Sequence, residues 1–194
     1  MISFSIITPT IQRLSLIKCC ESVDSQTFSN WEHIIFVDCE EFDRPIIEKI
    51  EESPKRVIYK CPIPHRNFGN TCRHNAWKMS NKDYCLYLDC DNFLAHPDVL
   101  AQIASSIDSN IFFTPQWAIF PILRHGHRFF NDPPGLCKTD TANMVIRRNI
   151  AQWPDGPEYT MDGIFCERLA NDYPYAAFPG IRPIVVMEKS NLGQ

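Results

Sequence analysis

Asp89 and Asp91 stand one residue apart in Leu88-Asp89-Cys90-Asp91-Asn92, directly after an apolar run. Their oxygens are hard ligands suited to magnesium or manganese, and two carboxylates placed this close need a cation or a proton to offset their repulsion. Strand ends and helix N-caps also recruit aspartate for structural reasons, so the pair alone leaves metal binding and capping both open. A second candidate set, Cys61, His65, Cys72 and His74, lies close together in sequence but lacks the paired knuckle spacing of a structural zinc site. The nine cysteines are odd in number and scattered, several within strand-like or helix-like segments. That pattern reads as reduced thiols used as small apolar residues, and it places the chain in the cytoplasm.

The elements that must position these residues follow from hydrophobic periodicity. Short apolar runs at residues 4–8, 33–37, 56–60 and 84–88 read as strands, and they alternate with helix-period stretches at 13–25, 45–52 and 70–80. Such a β-α order predicts an α/β domain with a mixed, mostly parallel sheet flanked by helices. Ligands bind such sheets outside the carboxyl ends of the strands. Thr8 to Thr10, Asp38 to Glu40 and Asp89 to Asn92 each follow a strand end and should share one rim. Later in the chain the spacing predicts a helix to about residue 107, a strand-like stretch at 111–120, an irregular loop at 123–136, a strand at 141–147, a helix at 162–170 and a last strand at 184–187.

Five segments in this order resemble the family 2 glycosyltransferases of the GT-A fold, inverting enzymes that use nucleotide sugars. They are Phe4-Ser5-Ile6-Ile7-Thr8-Pro9-Thr10, Glu32-His33-Ile34-Ile35-Phe36-Val37-Asp38, the stretch from Asn67 to Ala76, the stretch from Tyr84 to Asn92, and the stretch from Thr160 to Leu169. The resemblance implies roles for individual residues. Thr8, Pro9, Thr10, Arg13 and Cys90 would line the nucleotide-sugar pocket; Asp38 would accept a hydrogen bond from the base; Arg73 would meet the nucleotide or its diphosphate with a well-shaped guanidinium fork. Asp91 would ligate manganese or magnesium directly, Asp89 would reach the ribose or a metal-bound water, and Asp162 would be the catalytic base. His125 or His127 could add a late metal ligand or contact phosphates, and Trp153 could stack on a sugar on the acceptor side.

Departures from the family pattern bear on the nucleobase. Ile11 and Gln12 replace an aromatic residue and Asn, Cys39 replaces a second Asp, and Glu40-Glu41 replace Gly-Ser. Uridine is the family's commonest base, with deoxythymidine and guanosine left open. A sugar-1-phosphate nucleotidyltransferase would open with a glycine-rich phosphate loop, and residues 8–13 contain no glycine. A non-catalytic nucleotide-sugar or carbohydrate-binding domain is the other alternative.

At 194 residues the chain fits one GT-A domain spanning 1–194, alone or within a longer protein. A net charge of -4 argues against nucleic acid as the main partner, and no apolar run reaches the ~20 residues of a membrane span. The expected partners are a nucleotide-sugar donor and a glycan or other hydroxyl acceptor.

Overall fold

The protein is described by a computed structural model over residues 2–109, 115–135, 139–157 and 159–187. Its first half is the expected alternation: β1 (Phe4–Thr10), α1 (Ser15–Asp24), β2 (Trp31–Val37), α2 (Arg44–Ile50), β3 (Arg56–Lys60), α3 (Asn70–Met79) and β4 (Tyr84–Tyr87). Then come β5 (Asn92–Leu94), α4 (Val99–Asp108), β6 (Trp117–Ile119), β7 (Ile122–Arg124), β8 (His127–Phe129), β9 (Met144–Arg147), α5 (Met161–Asp172), β10 (Tyr175–Ala177) and β11 (Val185–Met187).

Seven strands form one sheet in the order β10-β6-β9-β4-β1-β2-β3. All its pairings are parallel except the two made by β9, which runs antiparallel to β4 and β6. Alternate residues of the central strands enter opposite layers, as the period of two requires. Phe4 and Ile6 of β1, with Tyr84 and Leu86 of β4, join Val23 of α1 and Leu100 and Ile103 of α4. Ile7, Cys85 and Tyr87 point the other way, onto Cys72 and Ala76 of α3 and Phe165 and Leu169 of α5. Helices therefore cover both faces, and every residue of β1 and β4 is buried because neither face meets water.

The loop expected at 123–136 instead begins with a hairpin. His125 and Gly126 both adopt positive φ, 52° and 82°, which is the backbone of a tight two-residue turn, and β7 and β8 pair antiparallel across it. The hairpin belongs to a second, four-stranded sheet in the order β5-β11-β7-β8. Of its three-residue strands the sequence announces only β11, expected at 184–187; β5, β7 and β8 are too short to produce a readable alternation. The strand expected at 141–147 starts late: Thr141–Asn143 is a 3-10 turn capped by Asp140, and β9 follows. The strand-like stretch at 111–120 is described only from residue 115, where β6 occupies Trp117–Ile119.

Candidate active site

The Asp89-Asp91 motif lies where the two sheets meet. The Leu88 N–H donates to the Ile7 carbonyl at 2.9 Å and extends the β1–β4 ladder one residue beyond β4. The Asn92 N–H then donates to the Asp89 carbonyl at 2.9 Å, closing a turn into β5. Between the aspartates, Cys90 is buried in a cluster with Leu16, Ile35 and Val37, so an apolar middle residue anchors the turn while its polar neighbours face outwards. Burial pushes the Cys90 thiol up to about 11, which keeps it neutral.

Two cavities meet over this turn. The larger, about 670 Å³, lies between the ends of β1, β2 and β4 and the loop ahead of α3, with Pro9, Thr10, Asp38, Phe68, Asp89 and Asp91 in its walls. The smaller, about 300 Å³, is bounded by Arg124, His125, Asp140, Trp153, Tyr159 and Asp162. Phe68, Arg73, Asp89 and Asp91 line both.

Arg73 is the side chain at this junction. Its Nη1 donates to the Phe68 carbonyl at 2.8 Å, and Nη2 makes a short contact with Asp89 Oδ1. The guanidinium lies 4.9 Å over the Trp153 ring, and its buried Nε–H has no hydrogen-bond partner among the described residues. A buried guanidinium with a free donor is suited to an anion that completes its fork. Helix α3 can approach the β1 strand end because Gly69 caps it at φ 79°; a Cβ on Gly69 would stand 2.8 Å from Pro9 Cβ and 3.2 Å from Arg73 Nη1.

Asp38 is buried at the end of β2, and its Oδ1 and Oδ2 accept the main-chain N–H groups of His65 and Arg66 at 2.7 and 2.9 Å. Each carboxylate oxygen keeps a lone pair, and the residue faces the larger cavity. On the opposite side, Asp162 sits in the first turn of α5, with Oδ1 accepting the Gly163 N–H at 2.8 Å. Burial raises its pKa above the ordinary aspartate value; Asp89 raises it further, while the Gly163 hydrogen bond and Arg73 oppose the shift. Asp91 is likewise raised by burial and then by Asp89, and Arg13, 3.4 Å away, opposes this. A set of hard carboxylate oxygens that repel one another, at the meeting of two cavities, fits a magnesium or manganese ion held by Asp91 and Asp89.

The model of the family described as "Glycosyl transferase family 2" matches residues 5–151, which include Asp38, Arg73, the Asp89-Asp91 turn and all of β1 but its first residue. The chain belongs to this family. Among solved structures, S. aureus TarS 1-349 in complex with UDP-GlcNAc superposes with a TM-score of 0.80 at 15% identity, covering 100% of this chain and 60% of that one. The mannosyltransferase PcManGT from Pyrobaculum calidifontis, in complex with GDP-Man and Mn2+, gives 0.72 at 11% identity, covering 98% and 58%. These likenesses establish the GT-A fold, and this family 2 domain spans about 60% of the length of those chains. No curated protein matches the chain.

The structure gathers Pro9, Thr10, Arg13, Asp38, Arg73, Asp89, Cys90 and Asp91 around the larger cavity and Asp162 and His125 around the smaller. The placements expected of Thr8 and Trp153 need correction, and of the alternatives His125 and His127 only His125 lines a cavity. Thr8 is fully buried beneath the rim, where its Oγ1 lies 2.9 Å from His33 Nε2. Arg56 Nε donates to His33 Nδ1 at 3.2 Å; because Arg only donates, the neutral ring carries its proton on Nε2 and gives it to Thr8. Thr8 is thus held inside the fold and lines neither cavity. Trp153 is 1% exposed and packed against Tyr87 and Phe165, both 4.9 Å away between ring centroids, with Arg73 on its face. It forms a wall of the smaller cavity and a bed for Arg73, and offers no open face to a sugar. His127 lies on exposed β8 outside both linings.

Two features escape sequence reading. Asp140, whose Oδ1 accepts the Ala142 N–H at 3.0 Å, adds another carboxylate to the smaller cavity. It precedes the 3-10 turn in a stretch without periodicity, so nothing local marks it. Phe68 and Tyr159, 59% and 77% exposed, meet edge to face at 5.1 Å on the lip of that cavity. Exposed aromatics of this kind are visible only once burial is known.

Proposed function

We propose that this domain transfers a sugar, with inversion, from a nucleoside diphosphate sugar to an acceptor hydroxyl. The observation that carries the reading is the junction of two cavities at Arg73, Asp89 and Asp91, with Asp38 walling one and the pKa-raised Asp162 the other. The larger cavity would take the nucleotide, Asp38 accepting an N–H of the base, and Arg73 would complete its fork on the diphosphate. The smaller cavity would hold the sugar and the acceptor. Asp162 takes the hydroxyl proton as the acceptor oxygen forms its bond to the anomeric carbon; the bond from that carbon to the phosphate oxygen breaks, and the diphosphate leaves with the electron pair. Asp91 and Asp89 would hold manganese or magnesium, which when bound neutralises charge on the diphosphate. A uridine donor is supported by the TarS complex with UDP-GlcNAc, and a divalent cation by the mannosyltransferase complex with Mn2+. The acceptor is read as a glycan or another hydroxyl compound.

A panel of UDP, GDP and dTDP sugars with manganese and candidate acceptors tests the proposal. We expect acceptor-dependent release of nucleoside diphosphate from one of them, abolished by chelation and by Asp91→Ala. Tight binding of a donor with no release under any condition would favour a carbohydrate-binding domain instead.

A further inference from the structure

Beside the larger cavity lies a ligand set of which the proposed sugar transfer uses only Asp38. Asp38 follows β2, Cys61 follows β3 and Cys72 lies in the first turn of α3, and one ligand atom from each lies within 4.8 Å of the other two. This is the one such group of three among the described residues; the carboxylates around Asp89 do not close up in this way. The two Sγ atoms are 3.4 Å apart and both cysteines are buried, at 1% and 0% exposure. Two thiolates on one tetrahedral zinc, each at about 2.3 Å, stand roughly 3.8 Å apart, so a shift of a few tenths of an ångström would seat the ion.

The local sequence suggests a different quartet, and the fold revises it. His74 Nδ1 lies 2.7 Å from the Trp153 carbonyl, and His65 reaches Asp38 through its main-chain N–H. Asp38, distant in sequence, takes their place. Sulfur donors make this set soft, whereas Asp89 and Asp91 offer only hard oxygen, so the two places should sort cations by class.

We propose that Asp38, Cys61 and Cys72 form a second cation site, selective for thiophilic ions such as zinc or cadmium, whose occupation weakens nucleotide binding. The link is Asp38, which belongs to the triad and also walls the larger cavity, while neither cysteine lines that cavity. Burial raises both thiols above the ordinary range, so uptake of a divalent ion releases two protons as both thiols become thiolates. Two thiolates and one carboxylate then surround a doubly charged ion. Cation uptake stands on the geometry alone; the antagonism also rests on the proposed role of Asp38 in holding the nucleobase.

Cadmium titrated into the full chain, without nucleotide and under a non-thiol reductant, should produce thiolate-to-cadmium charge-transfer absorption that saturates at one equivalent and is competed by zinc. Cys61→Ser and Cys72→Ser should each remove it, while Cys39→Ser, a change at a thiol outside the triad, should leave it. Absence of the signal in folded wild-type protein, or its persistence in the Cys61→Ser/Cys72→Ser double variant, overturns the site. So does a Cys61–Cys72 disulfide that survives the reductant. In the second arm, zinc should raise the Kd for UDP at least about tenfold more in wild type than in Cys72→Ser, a comparison that cancels chelation of zinc by UDP itself. Cadmium binding with an unaltered UDP affinity overturns the antagonism. UDP binding that fails in every form, zinc or none, counts against the nucleotide-sugar reading and leaves the cation result standing.

Discussion

At the scale of single residues, the proposed transfer divides the work of the junction between Asp162 and Arg73. Asp162→Asn keeps the shape and the Gly163 hydrogen bond but cannot accept the proton, so donor affinity should hold while kcat falls about 10²–10⁴-fold, read by nucleotide release. Unimpaired turnover would move the role of base elsewhere, with Asp140 next in line. The base works only when ionised, so the wild-type rate is lost as pH falls through the Asp162 pKa. Burial and Asp89 place that loss at higher pH than for an ordinary aspartate, and the kcat profile should show it. Arg73 cannot be exchanged for lysine without cost. It serves the Phe68 carbonyl and Asp89 and sits over the Trp153 ring, a combination suited to a forked guanidinium, so Arg73→Lys should weaken donor binding at least about tenfold by calorimetry.

At the scale of elements, the meeting of β1 with the start of α3 sets where Arg73 can stand. Gly69 and Gly126 have nearly the same backbone, φ 79° and 82°, but differ in surroundings: a Cβ on Gly69 meets Pro9, and one on Gly126 meets nothing within 4 Å. Alanine at either position incurs the left-handed penalty of about 1–2 kcal/mol. The excess loss of stability in Gly69→Ala over Gly126→Ala, measured by denaturant unfolding, then reports the clash, and only Gly69→Ala should also lose donor affinity. The same elements show what a sequence can carry. Strands β1, β2 and β4 are legible because both of their faces are buried, β3 at the sheet edge keeps a short β-branched run, and Asp38 and Asp89 could be placed from the strand ends, whereas Arg73 in α3 came from the family resemblance. Thr8 misleads because it lies two residues short of the strand end, inside the fold against His33, a contact 25 residues away, while Thr10 at the end of β1 reaches the cavity. Strands β5, β7 and β8 have three residues each, too few for a period, and Asp140 and Phe68 gain their positions from tertiary contacts that no local pattern encodes.

At the scale of the whole molecule, the two sheets and α5 converge so that Asp89, Asp91, Asp140 and Asp162 surround one small cavity, balanced by Arg73 and Arg124. Burial raises the pKa of Asp91, Asp140 and Asp162, and Asp89 raises each of them further, so the fold holds these charges against their preference. A group whose pKa is higher in the folded state than in the unfolded chain stabilises the fold when protonated, and that contribution is lost as pH rises through the folded value. Near neutral pH, then, the cluster lowers the stability of the ion-free protein. Asp140→Asn isolates the effect: the amide keeps an Oδ1 to cap Ala142 and loses only the charge. The variant should melt a few degrees above wild type at neutral pH without divalent cation. As pH falls through the raised Asp140 pKa, wild type takes up the proton that makes it equivalent, and the two melting temperatures should converge. A saturating divalent cation should narrow the gap at neutral pH as well, because it offsets the same repulsion in wild type that the variant has already relieved. A gap that stayed constant from neutral to acid pH would mean that the substitution acts through packing, and the cluster would then carry no electrostatic strain at that position.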